Sequence, residues 1–97
     1  MLQHIVLFKT RPDLPPERFE RILTDARTRL VQIPGVSHLR VGKPLLPGAE
    51  WVICLSMEFE DEKALQAYRV HPIHVAYIKE NLDGQVTERL ALDYWME

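Results

Sequence analysis

The stretch Leu2-Gln3-His4-Ile5-Val6-Leu7-Phe8-Lys9 is rich in aliphatic, β-branched and aromatic residues, lacks a helical repeat and is closed off by Pro12, Pro15 and Pro16. Such a segment favours a strand followed by a loop. Alternation places Leu2, His4, Val6 and Phe8 on one face and Gln3, Ile5, Leu7 and Lys9 on the other. Both faces are partly apolar, whereas a sheet covered on one side only has a polar outer face. The strand therefore needs two covers, its own helices on one side and a second sheet on the other. With 97 residues the chain has room for one domain, residues 1–97. A domain of this size buries only roughly 60–65% of its unfolded surface. A homodimer formed through the sheet face is the expected source of the missing cover.

The remaining elements follow from periodicity and punctuation. Pro15-Pro16-Glu17 is a helix start, and Phe19, Ile22, Leu23, Ala26, Leu30 and Ile33 then recur along one helical face until Pro34-Gly35 stops the run. Val36 to Gly42 alternates as a second strand, the Pro- and Gly-containing segment 42–50 is a loop, and Trp51 to Phe59 is a third strand. Glu60-Asp61-Glu62 opens a helix that Pro72 interrupts, and a second short helix runs from about Ile73 to Leu82. Asp83-Gly84 is a turn and Thr87 to Trp95 the last strand. The order β-α-β-β-α-β predicts an α+β, ferredoxin-like fold, a four-stranded antiparallel sheet with helices on one face.

Charge and composition narrow the partners. A net charge of −2 with dispersed Lys and Arg argues against nucleic acid and anionic membranes. The first apolar run is too short, and too poor in basic residues ahead of it, for a signal peptide, and no segment reaches the ~20 apolar residues of a membrane span, so a cytoplasmic location is expected. The single cysteine, Cys54, lies in an apolar run and reads as a buried thiol. The four glycines are isolated turn residues and form no phosphate loop. His38 and Arg40 face away from Leu39 and Val41 and read as surface or interface polar residues.

Four separated motifs occur in a fixed order: His4-Ile5-Val6-Leu7-Phe8-Lys9, Ile33-Pro34-Gly35-Val36, the acidic strand end Met57-Glu58-Phe59-Glu60-Asp61-Glu62, and Tyr68-Arg69-Val70-His71-Pro72-Ile73-His74. In this the chain resembles the stress-responsive A/B barrel domain (Dabb) family, over almost its whole length. The resemblance implies a ferredoxin-like protomer whose sheet packs on that of a second copy as a dimeric barrel. Members include plant stress proteins and a polyketide cyclase that works by aldol condensation without metal or cofactor, so no cofactor is implied here. Residue by residue, His4, Tyr68 and His74 match the cyclase's pocket. Ile53 stands near an additional pocket histidine of the cyclase, and Leu23 and Ala26 replace aromatic residues, so the cyclase's own substrate is not implied. Some members hold a cation at main-chain carbonyls corresponding to the region from Leu30 to Leu39.

Strand alternation combined with the helix faces directs His4, Val6, Phe8, Leu55 and Met57 toward the helices, where Tyr68 and His74 approach from above and Leu23 completes an apolar wall. Two imidazoles and a phenol in such a wall suit proton abstraction beside a carbonyl, with His74 as base, Tyr68 either holding the imidazole or donating to the developing oxyanion, and His4 as polar partner or substrate hydrogen-bond donor. The structural reading is that His4 bonds a neighbouring element, that His71 and His74 cap the broken helix, and that Tyr68 is a core aromatic. Spacing of His71 and His74 also suggests a metal, but Pro72 disrupts the shared face and no third ligand follows from spacing. The functional expectation is a binder of a small apolar carbonyl compound with cofactor-independent cyclase- or lyase-type chemistry. The alternatives are a non-catalytic stress-responsive structural dimer and a cofactor-independent monooxygenase.

Overall fold

The computed structural model describes Met1–Glu97. Its elements are β1 (Leu2–Thr10), α1 (Pro16–Arg29), β2 (Ser37–Gly42), β3 (Ile53–Phe59), α2 (Glu62–Val70), α3 (Pro72–Tyr77) and β4 (Val86–Trp95). A short 3-10 turn, Leu30–Gln32, prolongs α1, and a π-helical turn, Ile78–Leu82, prolongs α3. The strands form one antiparallel sheet in the order β2-β3-β1-β4, the ferredoxin-like arrangement expected from the element order. No helix is long and apolar enough to cross a membrane.

Local chemistry accounts for the boundaries. Pro16 occupies the first turn of α1, where a missing N–H removes no helical bond. The inward stripe of α1 buries Ile22, Leu23 and Ala26, followed by Leu30 and Ile33. Gly35 then turns the chain with φ of 92°, a left-handed conformation that suits glycine. The Asp61 side chain caps α2 by accepting from the Ala64 N–H at 2.8 Å. The segment read from sequence as one short helix is divided: the Asp83 N–H donates to the Ile78 carbonyl at 3.0 Å, an i to i−5 bond that makes the last turn wide.

Register fixes what lies side by side. On the helix-covered face β3, β1 and β4 align as rows: Phe59, Leu2, Trp95; then Met57, His4, Asp93; then Leu55, Val6, Ala91; then Ile53, Phe8, Arg89. The β3 and β1 members of these rows are buried beneath the helices and constitute much of the core. Each such aliphatic or aromatic side chain contributes about 1.5–3 kcal/mol by leaving water. The opposite face carries Ile5 and Leu7 of β1 with Leu90, Leu92 and Tyr94 of β4, and in the isolated protomer Leu90 and Tyr94 are exposed. On this same face the His38 Nδ1 lies 3.1 Å from the Glu58 carboxylate, next to an irregularity in the β2 register.

The lid formed by α3 and the π-helical turn is tied to α1 by polar contacts. The Tyr77 hydroxyl donates to the Ile22 carbonyl at 2.8 Å, and the Asn81 amide donates to Asp25 at 3.1 Å. The Arg29 guanidinium grips the Glu80 carboxylate with two donors, at 3.0 and 3.3 Å. The lid consequently leans toward α1 and leaves the β4 edge of the sheet uncovered.

Candidate functional site

That uncovered edge opens a cavity of about 410 Å³ between sheet and helices. Its floor is His4, Val6 and Phe8 of β1 with Leu55 of β3, and Tyr68 and His74 enter from the helical side. Leu82 and Ile78 of the π-helical turn wall the far end, while Arg69, Arg89 and Ala91 border it as well. Two expected wall residues do not reach the cavity. Leu23, on the inward stripe of α1, and Met57, on the helix-covered face of β3, are 1% and 0% exposed and belong to the closed core between helices and sheet.

The motif from Tyr68 to His74 is a local device that sets one imidazole. In an uninterrupted helix the Ile73 N–H would bond to the Arg69 carbonyl four residues back. Pro72 stops the helix, and the His71 Nδ1 accepts from the Ile73 N–H instead, at 3.1 Å. The Arg69 carbonyl, left without that donor, receives the His74 Nδ1–H at 3.0 Å. A carbonyl can only accept, so this bond fixes the proton on Nδ1 and leaves the His74 Nε2 lone pair free. Burial pushes the His74 imidazole below its ordinary range; the Arg69 carbonyl opposes this, and the charges of Arg89, His4 and Arg69 add to it. His74 is thus held neutral, the form that accepts protons.

Tyr68 is 2% exposed, with its ring 4.3 Å from that of His74, 5.2 Å from Phe59 and 6.0 Å from His4. Burial pushes its hydroxyl well above the usual tyrosine range, so it remains a donor. His4 is equally enclosed, and its Nδ1 lies 2.5 Å from the Asp93 carboxylate directly across the β1–β4 ladder. Carboxylate oxygens accept, so Nδ1–H donates, and no other group of the chain bonds the ring. The second Asp93 oxygen meets Arg69 at 3.4 Å, joining the end of α2 to β4. His71 and His74 each commit Nδ1 to the backbone, and no group of three or more His, Cys, Asp or Glu side chains gathers into a metal-binding set.

Asp93, Arg69 and Arg89 were not among the expected site residues. Asp93 had a visible signal, an isolated acid within Leu90-Ala91-Leu92-Asp93-Tyr94-Trp95. Its partner was hidden, since periodicity within one strand gives no register against another. Arg69 lay inside the quoted motif, but its nearness to β4 depends on where α2 ends.

Comparison with known proteins agrees with this architecture. The chain superposes on a Dabb family protein with a ferredoxin-like fold from Mesorhizobium loti with a TM-score of 0.86 at 30% identity, covering 99% of this chain and 96% of that one. A dimeric protein of unknown function from Bacteroides fragilis, also ferredoxin-like, matches with a TM-score of 0.82 at 30% identity, covering 98% and 95%. The hydroxynitrile lyase of Passiflora edulis shares the fold at 16% identity, with a TM-score of 0.85 and coverage of 99% and 93%. No functionally curated protein matches the sequence. With its model matching residues 2–96, the stress responsive A/B barrel domain family is the one to which this chain belongs.

Proposed function

We propose that the cavity binds a small, largely apolar carbonyl compound and promotes proton transfer beside the carbonyl, the elementary step of lyase and aldol-type chemistry. The observation that carries the reading is the convergence, in one mostly apolar cavity, of His74 with a free Nε2, the Tyr68 hydroxyl and the Asp93-oriented His4. His74 Nε2 takes the proton from the carbon next to the carbonyl. The electron pair left behind moves onto the carbonyl oxygen, where the Tyr68 hydroxyl donates a hydrogen bond. His4, its ring oriented by Asp93, is the second group able to exchange a proton with substrate. That this fold accommodates a lyase is supported by the Passiflora edulis protein, whose name gives hydroxynitriles as its substrates.

The test is exchange of α-protons for deuterium in a panel of aryl methyl ketones dissolved in D2O, followed by NMR. Wild-type protein is expected to accelerate exchange for at least one compound, and His74→Ala to lower that rate by about 10²- to 10⁴-fold. Exchange no faster than in buffer across the panel, or an undiminished rate in His74→Ala, overturns the reading.

The working form is a homodimer in the cytoplasm. The apolar face bearing Ile5, Leu7, Leu90, Leu92 and Tyr94 supports a two-fold packing of sheets, as does the dimeric state of the Bacteroides fragilis relative. Light scattering is expected to give twice the protomer mass for wild type and the protomer mass for Leu90→Glu. A wild-type monomer would remove the dimer.

A further inference from the structure

The permanently charged residues that line the cavity are all of one sign. Of the 13 residues that line it, only Arg69 and Arg89 carry a permanent charge, and both are cationic. This is a local departure, for the whole chain has a net charge of −2. The two guanidiniums are not equivalent. Arg69 is held at 3.4 Å by Asp93, which also serves His4. Arg89 makes no ion pair: the adjacent Glu88 is engaged by Lys9 at 2.6 Å, and Asp93 stands one row beyond Ala91 on the same strand face. Arg89 belongs to the row of Ile53 and Phe8, on the exposed β4 edge where the cavity meets solvent. An apolar interior with an unpaired guanidinium at its open side is complementary to an amphiphile of defined polarity.

We infer that the cavity takes a ligand with an apolar body and an anionic head, a carboxylate or a phosphate monoester, whose head is held at the open side by Arg89. The inference rests on the cavity being a ligand site and deepens that reading by naming the ligand class. The volume of about 410 Å³ matches the lower part of the usual range for small-molecule sites. A guanidinium presents paired donors that fit either anion, and the charge-assisted bonds it makes are about twice as strong as neutral ones.

The experiment compares three probes of one shape, 4-phenylbutanoate, 4-phenylbutanamide and 3-phenylpropyl phosphate, titrated calorimetrically into wild type, Arg89→Gln, Arg89→Lys and His74→Gln. The anions are expected to bind roughly tenfold more tightly than the amide, with a preference that weakens as salt is added. Arg89→Gln is expected to abolish that preference while leaving amide affinity unchanged, Arg89→Lys to restore part of it, and His74→Gln to retain it. Whichever anion binds more tightly identifies the head group. Equal binding of amide and anions overturns the inference while the cavity remains a ligand site. A preference that survives Arg89→Gln removes the role of Arg89. If none of the probes binds, the ligand class and the ligand site fall together.

Discussion

The two ends of the helix-covered sheet face are built alike and end up opposite in character. Toward β3, Ile53, Leu55 and Met57 are buried beneath the helices; toward β4, Arg89, Ala91 and Asp93 occupy the same rows and are exposed. Strand alternation is identical at both ends. The difference comes from the lid: Tyr77, Asn81 and Glu80 bind it to α1 rather than to β4. A cavity therefore needs no special loop here. It is the strip of sheet that the helical layer fails to cover, and polar residues on that strip become site residues.

The sharpest way to break this contrast is a pair of substitutions, one at each end. Phe59→Ala should destabilise the fold by about 3–5 kcal/mol in denaturant titration, while Ala91→Val, on the open edge, should stay within about 0.5 kcal/mol. Similar losses at both sites would mean that the β4 edge is as closed as the core. A smaller effect is expected at the junction of the two regions. Asp93→Asn keeps an acceptor for His4 but removes its charge, and should lower stability by about 1 kcal/mol and α-proton exchange by about tenfold. An exchange rate equal to wild type would show that the orientation of His4 by Asp93 plays no part in the proton transfer.

The smallest expected effect concerns pH. His74 must be neutral to accept a proton, and in the folded protein its value lies below the ordinary imidazole 6.5, chiefly through burial. Exchange activity should therefore hold as pH falls through the ordinary histidine range and disappear only below it. Arg89→Gln removes one of the charges that depress His74, so the acid limb should move toward higher pH. A limb that stays in place, or moves the other way, would separate Arg89 from His74 electrostatically.

Much of this protein was legible before any coordinates. Hydrophobic period separated strands from helices, prolines and glycines marked the breaks, and the two-faced greasiness of Leu2–Lys9 called for cover on both sides. His4, Tyr68 and His74 were singled out by residue type and motif, and the fold brings all three to one cavity. Leu23 and Met57 were placed on the correct face, yet they lie in the closed core.

Sequence by itself thus determined which side of each element is apolar, because that is a property of local spacing and backbone geometry. Only the tertiary structure decided where cover runs out. Strand register set Asp93 against His4, the break at Pro72 handed the Arg69 carbonyl to His74, and the lean of the lid left Arg89 beside open solvent. Each of these depends on contacts between segments far apart in the chain or on a hydrogen bond diverted from its helical partner, and spacing within one segment carries no information about either.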